Sequence, residues 1–280
     1  MLKSSTISLY FPFVLFLFIK NVFIIKLMIP YKIISPFIIG PLHINMYGIM
    51  FALGTFFVYL FSIKEAKRKN IKKEIIEDLF IYLVLGMVFG ARLFYVLFYW
   101  PEDTPFHILD FFKVWNGGLA FFGGFFGAIF TGYIYAKIKK LDFLKLIDIF
   151  TYPVILGHIF GRFGDYLTGG HPGKITDVIW SIYLQGALRH PVVLYEIVGL
   201  LIILLIILYL KKFKLKKGVL FSIYVFLYSI QRLFLDIFRI ENTDPRFLGL
   251  TPTQYIVIVT GIISLIYIIT KIKIENENQK

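Results

Sequence analysis

Cysteine is missing altogether from the 280 residues. Its absence excludes disulfides, a thiolate nucleophile and cysteine-ligated zinc, and leaves the redox compartment unmarked. Charge is sparse as well: 17% of residues are Asp, Glu, Lys or Arg, against about 25% in an ordinary soluble domain. Acidic residues are the scarcer kind, 17 against 30 lysines and arginines, for a formal net charge of +13. There is no Gly-x-Ser-x-Gly elbow and no glycine-rich phosphate loop, and no two of the five histidines are spaced to share a metal, so neither a metal nor a cofactor is expected. No internal repeat of the kind found in many transporters is visible.

What is present is apolar. Hydrophobic residues make up 58% of the chain and mean hydropathy is +0.78. Runs long enough to cross a bilayer, about 20 residues at 1.5 Å each, fall near 45–63, 79–99, 117–136, 147–163, 192–210, 218–236 and 254–271. The pattern predicts an all-α polytopic membrane protein, a bundle of seven transmembrane helices in one domain spanning 28–280. Residues 1–27 are apolar, carry Lys20 and Lys26 and lack a small-residue cleavage site. They read as an extra hydrophobic helix, native or not, rather than a signal peptide.

The positive charges are confined to short runs between apolar segments. Lys64, Lys67, Arg68, Lys69, Lys72 and Lys73 form one run; Lys137, Lys139, Lys140 and Lys145 a second; Lys211, Lys212, Lys214, Lys216 and Lys217 a third. This arrangement follows the positive-inside rule and argues against nucleic-acid binding. It predicts that these three loops and the C-terminus lie in the cytoplasm, while the loops 100–115, 164–191 and 240–252 face outward together with the residue-28 end. Trp100, Trp115 and Trp180 all fall on that outer side, where indole rings suit the headgroup level. Gly86/Gly90, Gly123/Gly127 and Gly157/Gly161 each read Gly-x-x-x-Gly, a spacing that lets helix backbones touch.

Two stretches put charge where lipid makes it expensive. Gly161 to Gly173 reads Gly-Arg-Phe-Gly-Asp-Tyr-Leu-Thr-Gly-Gly-His-Pro-Gly, with Arg162 where the helix is expected to run out, Asp165 beside it and His158 one turn before. An arginine at the middle of a span costs about 2.5–3.5 kcal/mol on insertion scales and needs a partner. The second stretch holds Tyr228, Arg232, Asp236 and Arg239 at i, i+4, i+8 and i+11, along one stripe of helix six. Two arginine centres at one depth, each a planar fork of donors, suit a phosphate between them. A lipid phosphate is the expected ligand, with pairing of the arginines by Asp236 and Glu241 as the purely structural alternative. Among the histidines, His171 in Gly-Gly-His-Pro-Gly and His190 in Arg-His-Pro-Val-Val-Leu-Tyr-Glu flank the outer loop and are the functional candidates.

At these residues the chain resembles the prolipoprotein diacylglyceryl transferases, bacterial inner-membrane enzymes of seven helices. The resemblance runs from about Met28 to Lys273. It rests on Ile-Ser-Pro and Gly-Pro within 34–41, Met-Tyr-Gly-Ile-Met at 46–50, Gly-Ala-Arg-Leu at 90–93 and Trp-Asn-Gly-Gly-Leu-Ala-Phe-Phe-Gly-Gly at 115–124. To these are added Gly-Arg-Phe-Gly-Asp-Tyr at 161–166, His-Pro-Val-Val-Leu-Tyr-Glu at 190–196, the stripe from Tyr228 to Arg239 and Leu-Thr-Pro-Thr-Gln at 250–254. The resemblance implies a transferase of the bacterial cell membrane, without cofactor. It would move the diacylglyceryl group of phosphatidylglycerol, a membrane lipid, onto the lipobox cysteine of a preprolipoprotein signal peptide, releasing glycerol phosphate. It also implies that Arg162 binds the phosphatidylglycerol phosphate and that Arg232 is essential, with Tyr228 and Tyr47 as family tyrosines. Arg232, Arg239, Asp165 and Gly173 are expected to join Arg162 at that phosphate.

The chain departs from the pattern at two places. Phe122 stands where the family carries a histidine, and Asp165 where it usually carries asparagine. Phenylalanine takes up no proton, so the base is expected at His171, His190 or Asp165. Other lipid or headgroup transfer at the same phosphate site, and a non-catalytic membrane protein that binds anionic lipid or carries a solute, are the other functions these residues allow.

Overall fold

The computed structural model describes residues 29, 31–39, 42–101, 105, 107–113, 117–240 and 246–277. The expectations for residues 1–27, for Trp115 and for Glu241 lie outside them. Among the described residues, seven helices are long and apolar enough to cross a membrane. They are α1 (Met46–Arg68), α2 (Lys73–Phe98), α3 (Phe121–Ile138), α4 (Phe143–Thr168), α5 (Val192–Leu210), α6 (Val219–Asp236) and α7 (Pro252–Glu277). Two short hairpins, β1 (Phe37–Ile39) with β2 (Leu42–Ile44) and β3 (Ile182–Leu184) with β4 (Ala187–Arg189), flank the helices at the end opposite the lysine-rich turns. The expected all-α bundle thus describes every membrane-spanning element.

The sequence placed the end of the fourth span near residue 163, but α4 runs on to Thr168. A helix in lipid satisfies its own backbone groups, so two glycines are not enough to end it. Gly164 instead admits α1: a Cβ there would lie 3.0 Å from the Cα of Tyr47. The helix stops at Gly169, whose φ of +74° is a left-handed cap that glycine adopts without strain.

Four glycines of the Gly-x-x-x-Gly patterns join α2 to α3. Gly86 and Gly90 meet Gly127 and Gly123 so closely that a Cβ on any of them would collide with the facing backbone. The third pattern divides: Gly157 faces Val58 and Gly54 of α1, whereas Gly161 has open space before it. One apolar cluster joins α4, α5 and α6 through Tyr152, Ile155, Leu200, Ile203, Ile207 and Tyr224. Another joins α1 to α4 through Ala66, Ile76, Leu79, Tyr135 and Ile149 at the lysine-rich end. There, buried Asp148 accepts the N–H groups of Gly218 (2.7 Å) and Phe221 (3.1 Å), capping α6, and Glu65 binds Lys211 at 2.5 Å. Outward side chains such as Phe130, Leu205 and Ile263 stay exposed, as lipid-facing positions do. The result is a frame in which α4, α5 and α6 carry charge at the other end.

Candidate active site

Arg162 lies within α4 and is buried, as are Arg232 on α6 and Arg239 just beyond it. Burial at such a price demands partners, and carboxylates supply them. Glu196, near the start of α5, stands between two of the arginines. Its Oε1 accepts from Nη1 of Arg232 at 2.8 Å, and its Oε2 lies 2.6 Å from Nε of Arg162, close as an ion pair although not aligned as a hydrogen bond. Arg162 also donates from Nη1 to Asp165 at 2.8 Å. Arg232 is 3.7 Å from Asp236, one turn along α6. The space in which the sequence expected a phosphate therefore already holds the Glu196 carboxylate. Each guanidinium still has five N–H donors, more than these partners use.

Arg239 is held differently. The stripe predicted along helix six ends at Asp236, and Arg239 follows in extended backbone that bridges to Gly173. Its Nη2 donates to Nδ1 of His171 at 2.6 Å, while Nε2 of His171 points to Asp165, 3.8 Å away. The His171 backbone sits at φ +52°, a left-handed conformation that costs a non-glycine residue of order 1–3 kcal/mol and persists where its surroundings hold it. Burial, and then Arg162 and Arg232, push the His171 pKa well below its usual range. The ring keeps 41% of its side-chain surface open, so solvent softens that effect. With Nδ1 accepting from Arg239, the neutral ring carries its proton on Nε2 and has no free lone pair.

His190 is placed by aromatic neighbours. Its ring packs on Phe238 at 5.0 Å, and its Nδ1 is 3.2 Å from the Tyr195 hydroxyl, which accepts from Trp180 at 2.6 Å. Burial lowers its pKa. Gly173 is structural in this setting: its carbonyl accepts from Arg189 at 3.1 Å, and a Cβ there would strike His190. Tyr228, one turn before Arg232, lies beside the Arg162 guanidinium. Tyr47, at the start of α1, lies near Arg162 and Asp165, its helix capped by Asn45, which accepts the Gly48 N–H at 2.7 Å. Arg162, Arg232, Tyr228, Tyr47, Asp165, Arg239 and His171 thus meet at one end of the bundle, with His190 and Gly173 on the neighbouring loops. Among the described residues, no group of three His, Asp or Glu is arranged to hold a metal.

Two buried residues of consequence were not singled out from the sequence. Glu196 is the only charged residue in α5, and an ionisable residue inside an apolar span is a functional signal in its own right. Arg92, inside α2, donates to the carbonyls of Phe111, Gly117, Gly118 and Asp110 at 2.5–3.1 Å. It gathers the loop between α2 and α3.

A family model described as prolipoprotein diacylglyceryl transferase matches residues 35–270. Relatives named phosphatidylglycerol–prolipoprotein diacylglyceryl transferase include one from Finegoldia magna, 33% identical over 85% of this chain and 94% of its own length. One from Clostridioides difficile is 34% identical over 85% of this chain and 96% of its own. One from Clostridium perfringens, numbered 1 under the same name, is 35% identical over 84% and 94%.

Proposed function

Because the chain belongs to the prolipoprotein diacylglyceryl transferase family, we infer its reaction from that membership and the parts of its site from the buried charges. It is a transferase that moves the diacylglyceryl group of phosphatidylglycerol to prolipoprotein. The observation that carries the site is the pair of buried arginines, Arg162 and Arg232, that share Glu196, with buried Arg239 beside His171, at one end of α4, α5 and α6. The sulfur that becomes a thioether belongs to the substrate's lipobox cysteine, which accords with a chain that has no cysteine of its own.

In this reading Arg162 and Arg232 hold the phosphodiester, with Arg239 at its outer side. Glu196 and Asp165 keep the guanidinium planes fixed before the lipid arrives. When the carbon–oxygen bond breaks, charge grows on the departing phosphate, and preorganised donors in a site shielded from water stabilise it most at that moment. Tyr228 and Tyr47 add hydroxyls beside the same guanidinium. Asp165, in place of the usual neutral side chain, makes the pocket less cationic, so phosphate and carboxylate compete for the Arg162 donors. His171 sits against Arg239 and Asp165, and positions them.

The site faces the outer leaflet of the bacterial plasma membrane in this account. The lysine-rich turns at 64–73, 137–145 and 211–217 lie at the other end of the bundle, in the cytoplasm with the C-terminus. Residues 28–280 form one transferase domain. Expression in a bacterium depleted of its own diacylglyceryl transferase tests the function. A reporter prolipoprotein shifts on gels as it is lipidated if the reading is right. An unshifted reporter, with the protein present in the membrane, refutes it.

A further inference from the structure

The transfer needs an acceptor for the thiol proton, and the geometry restricts where it can be. In a phosphatidyl lipid the carbon under attack lies on the acyl side of the phosphate. An acceptor within reach of the sulfur therefore sits deeper in the bundle than the arginines. His171 and His190 follow the end of α4 and precede the start of α5, on the outer side of Arg162. Nδ1 of His171 accepts from Arg239, His190 is tied to Tyr195, and Asp165 and Glu196 are held by arginines.

His158 meets the requirement. It precedes Arg162 by four residues on α4, one turn and about 6 Å toward the middle of the bundle. Its side chain is buried, and its Nε2 has no hydrogen-bond partner among the described residues. Leaving such a group bare costs about 1–3 kcal/mol, and unpartnered buried polar atoms call for a functional reason. The ring is oriented from three sides: Phe121 stacks on it at 5.1 Å, Tyr228 meets it edge-on at 4.9 Å, and the Tyr224 hydroxyl lies 3.4 Å from Nδ1. These three neighbours also line the cavity between α3, α6 and α7, together with Phe122, Ile256 and Val257. The cavity thus shares Phe121, Tyr224 and Tyr228 with the cage of His158, and its apolar lining suits the glycerol end of a diacyl lipid.

We propose that His158 is the proton acceptor for the transfer, a role that rests on the transferase reading and deepens it. With the proton of Nδ1 directed at the Tyr224 oxygen, the Nε2 lone pair is unused. Nε2 takes the proton of the cysteine S–H, and the sulfur electron pair forms the C–S bond to the glycerol carbon. The C–O bond to phosphate breaks with its pair going to the phosphate oxygen, and Nε2 then passes the proton to the departing glycerol phosphate. Phe122 limits the cavity rather than the chemistry in this arrangement.

The test uses the full chain in detergent with phosphatidylglycerol and a lipobox peptide. His158→Gln keeps the shape and a donor toward Tyr224; His158→Leu fits the aromatic cage and removes the bare nitrogen, so it folds at least as stably as the parent. Both are expected to lose 100-fold or more in kcat, the usual yield of a general base, with KM for phosphatidylglycerol changed less than threefold. A His158→Leu protein with an unchanged melting temperature and more than one-fifth of the parental kcat overturns the assignment. Wild-type protein that transfers nothing refutes the transferase reading itself, which separates the two failures.

Discussion

Glu196 allows two guanidinium groups to share a few ångströms of low-dielectric space, because its two oxygens each take one of them. Removing one partner of a buried charge set leaves the rest uncompensated, at a cost of about 3–5 kcal/mol. Glu196→Gln is therefore expected to lower the melting temperature strongly and abolish lipidation. Arg162→Lys keeps the charge but loses the fork that serves Asp165 and Glu196 together, and lipidation should fall at least tenfold with the protein still in the membrane. Full activity in that variant would remove Arg162 from the phosphate site. The His171 pKa gives a pH test. Its folded-state value is depressed, so the unfolded chain takes up a proton that the folded chain refuses, and stability falls as pH drops through about 6.5. The loss should be smaller in His171→Gln, compared by melting curves at pH 7.5 and 5.5. Arg162, Arg232 and Tyr228 were legible in the sequence because charge in an apolar run is conspicuous. Glu196 was there to be read in α5, but spacing along one chain does not say which carboxylate crosses to which arginine. The same blindness hid the cage around His158, whose members come from α3 and α6.

At the scale of elements, α4 is the member from which the site is built, and its length was underestimated because glycines were read as ends. The structure separates glycines that bring helices together from those that do not. Gly90→Leu must push α2 from α3, and an overpacked interface of this kind costs about 1–3 kcal/mol or more. Gly161→Ala places a methyl in open space within a helix and is expected to be neutral or slightly stabilising by melting temperature. Equal losses in both would show that α4 packs on another helix at Gly161. The seven spans were legible because each is a long apolar run. The hairpins and the Arg92-centred loop were not, since they depend on carbonyls brought together only once α2 and α3 have crossed.

The whole molecule has a lysine-rich end and an end that carries buried arginines, and the positive-inside rule turns that polarity into a predicted direction in the membrane. The absence of cysteine makes the direction testable. Single cysteines at Lys139 and at Tyr183 should react with a membrane-impermeant thiol reagent from opposite sides, Tyr183→Cys in intact cells and Lys139→Cys only after lysis. The reverse pattern would put the arginine set in the cytoplasm, away from a secreted substrate. The central claim is that one site couples thioether formation to loss of the phosphodiester. The measurement that tests it most directly is mass spectrometry of a lipobox peptide incubated with the purified chain and phosphatidylglycerol. A diacylglyceryl mass on the peptide cysteine and an equal amount of glycerol phosphate are expected. Glycerol phosphate without the modified cysteine, or lipid bound without either product, would contradict it.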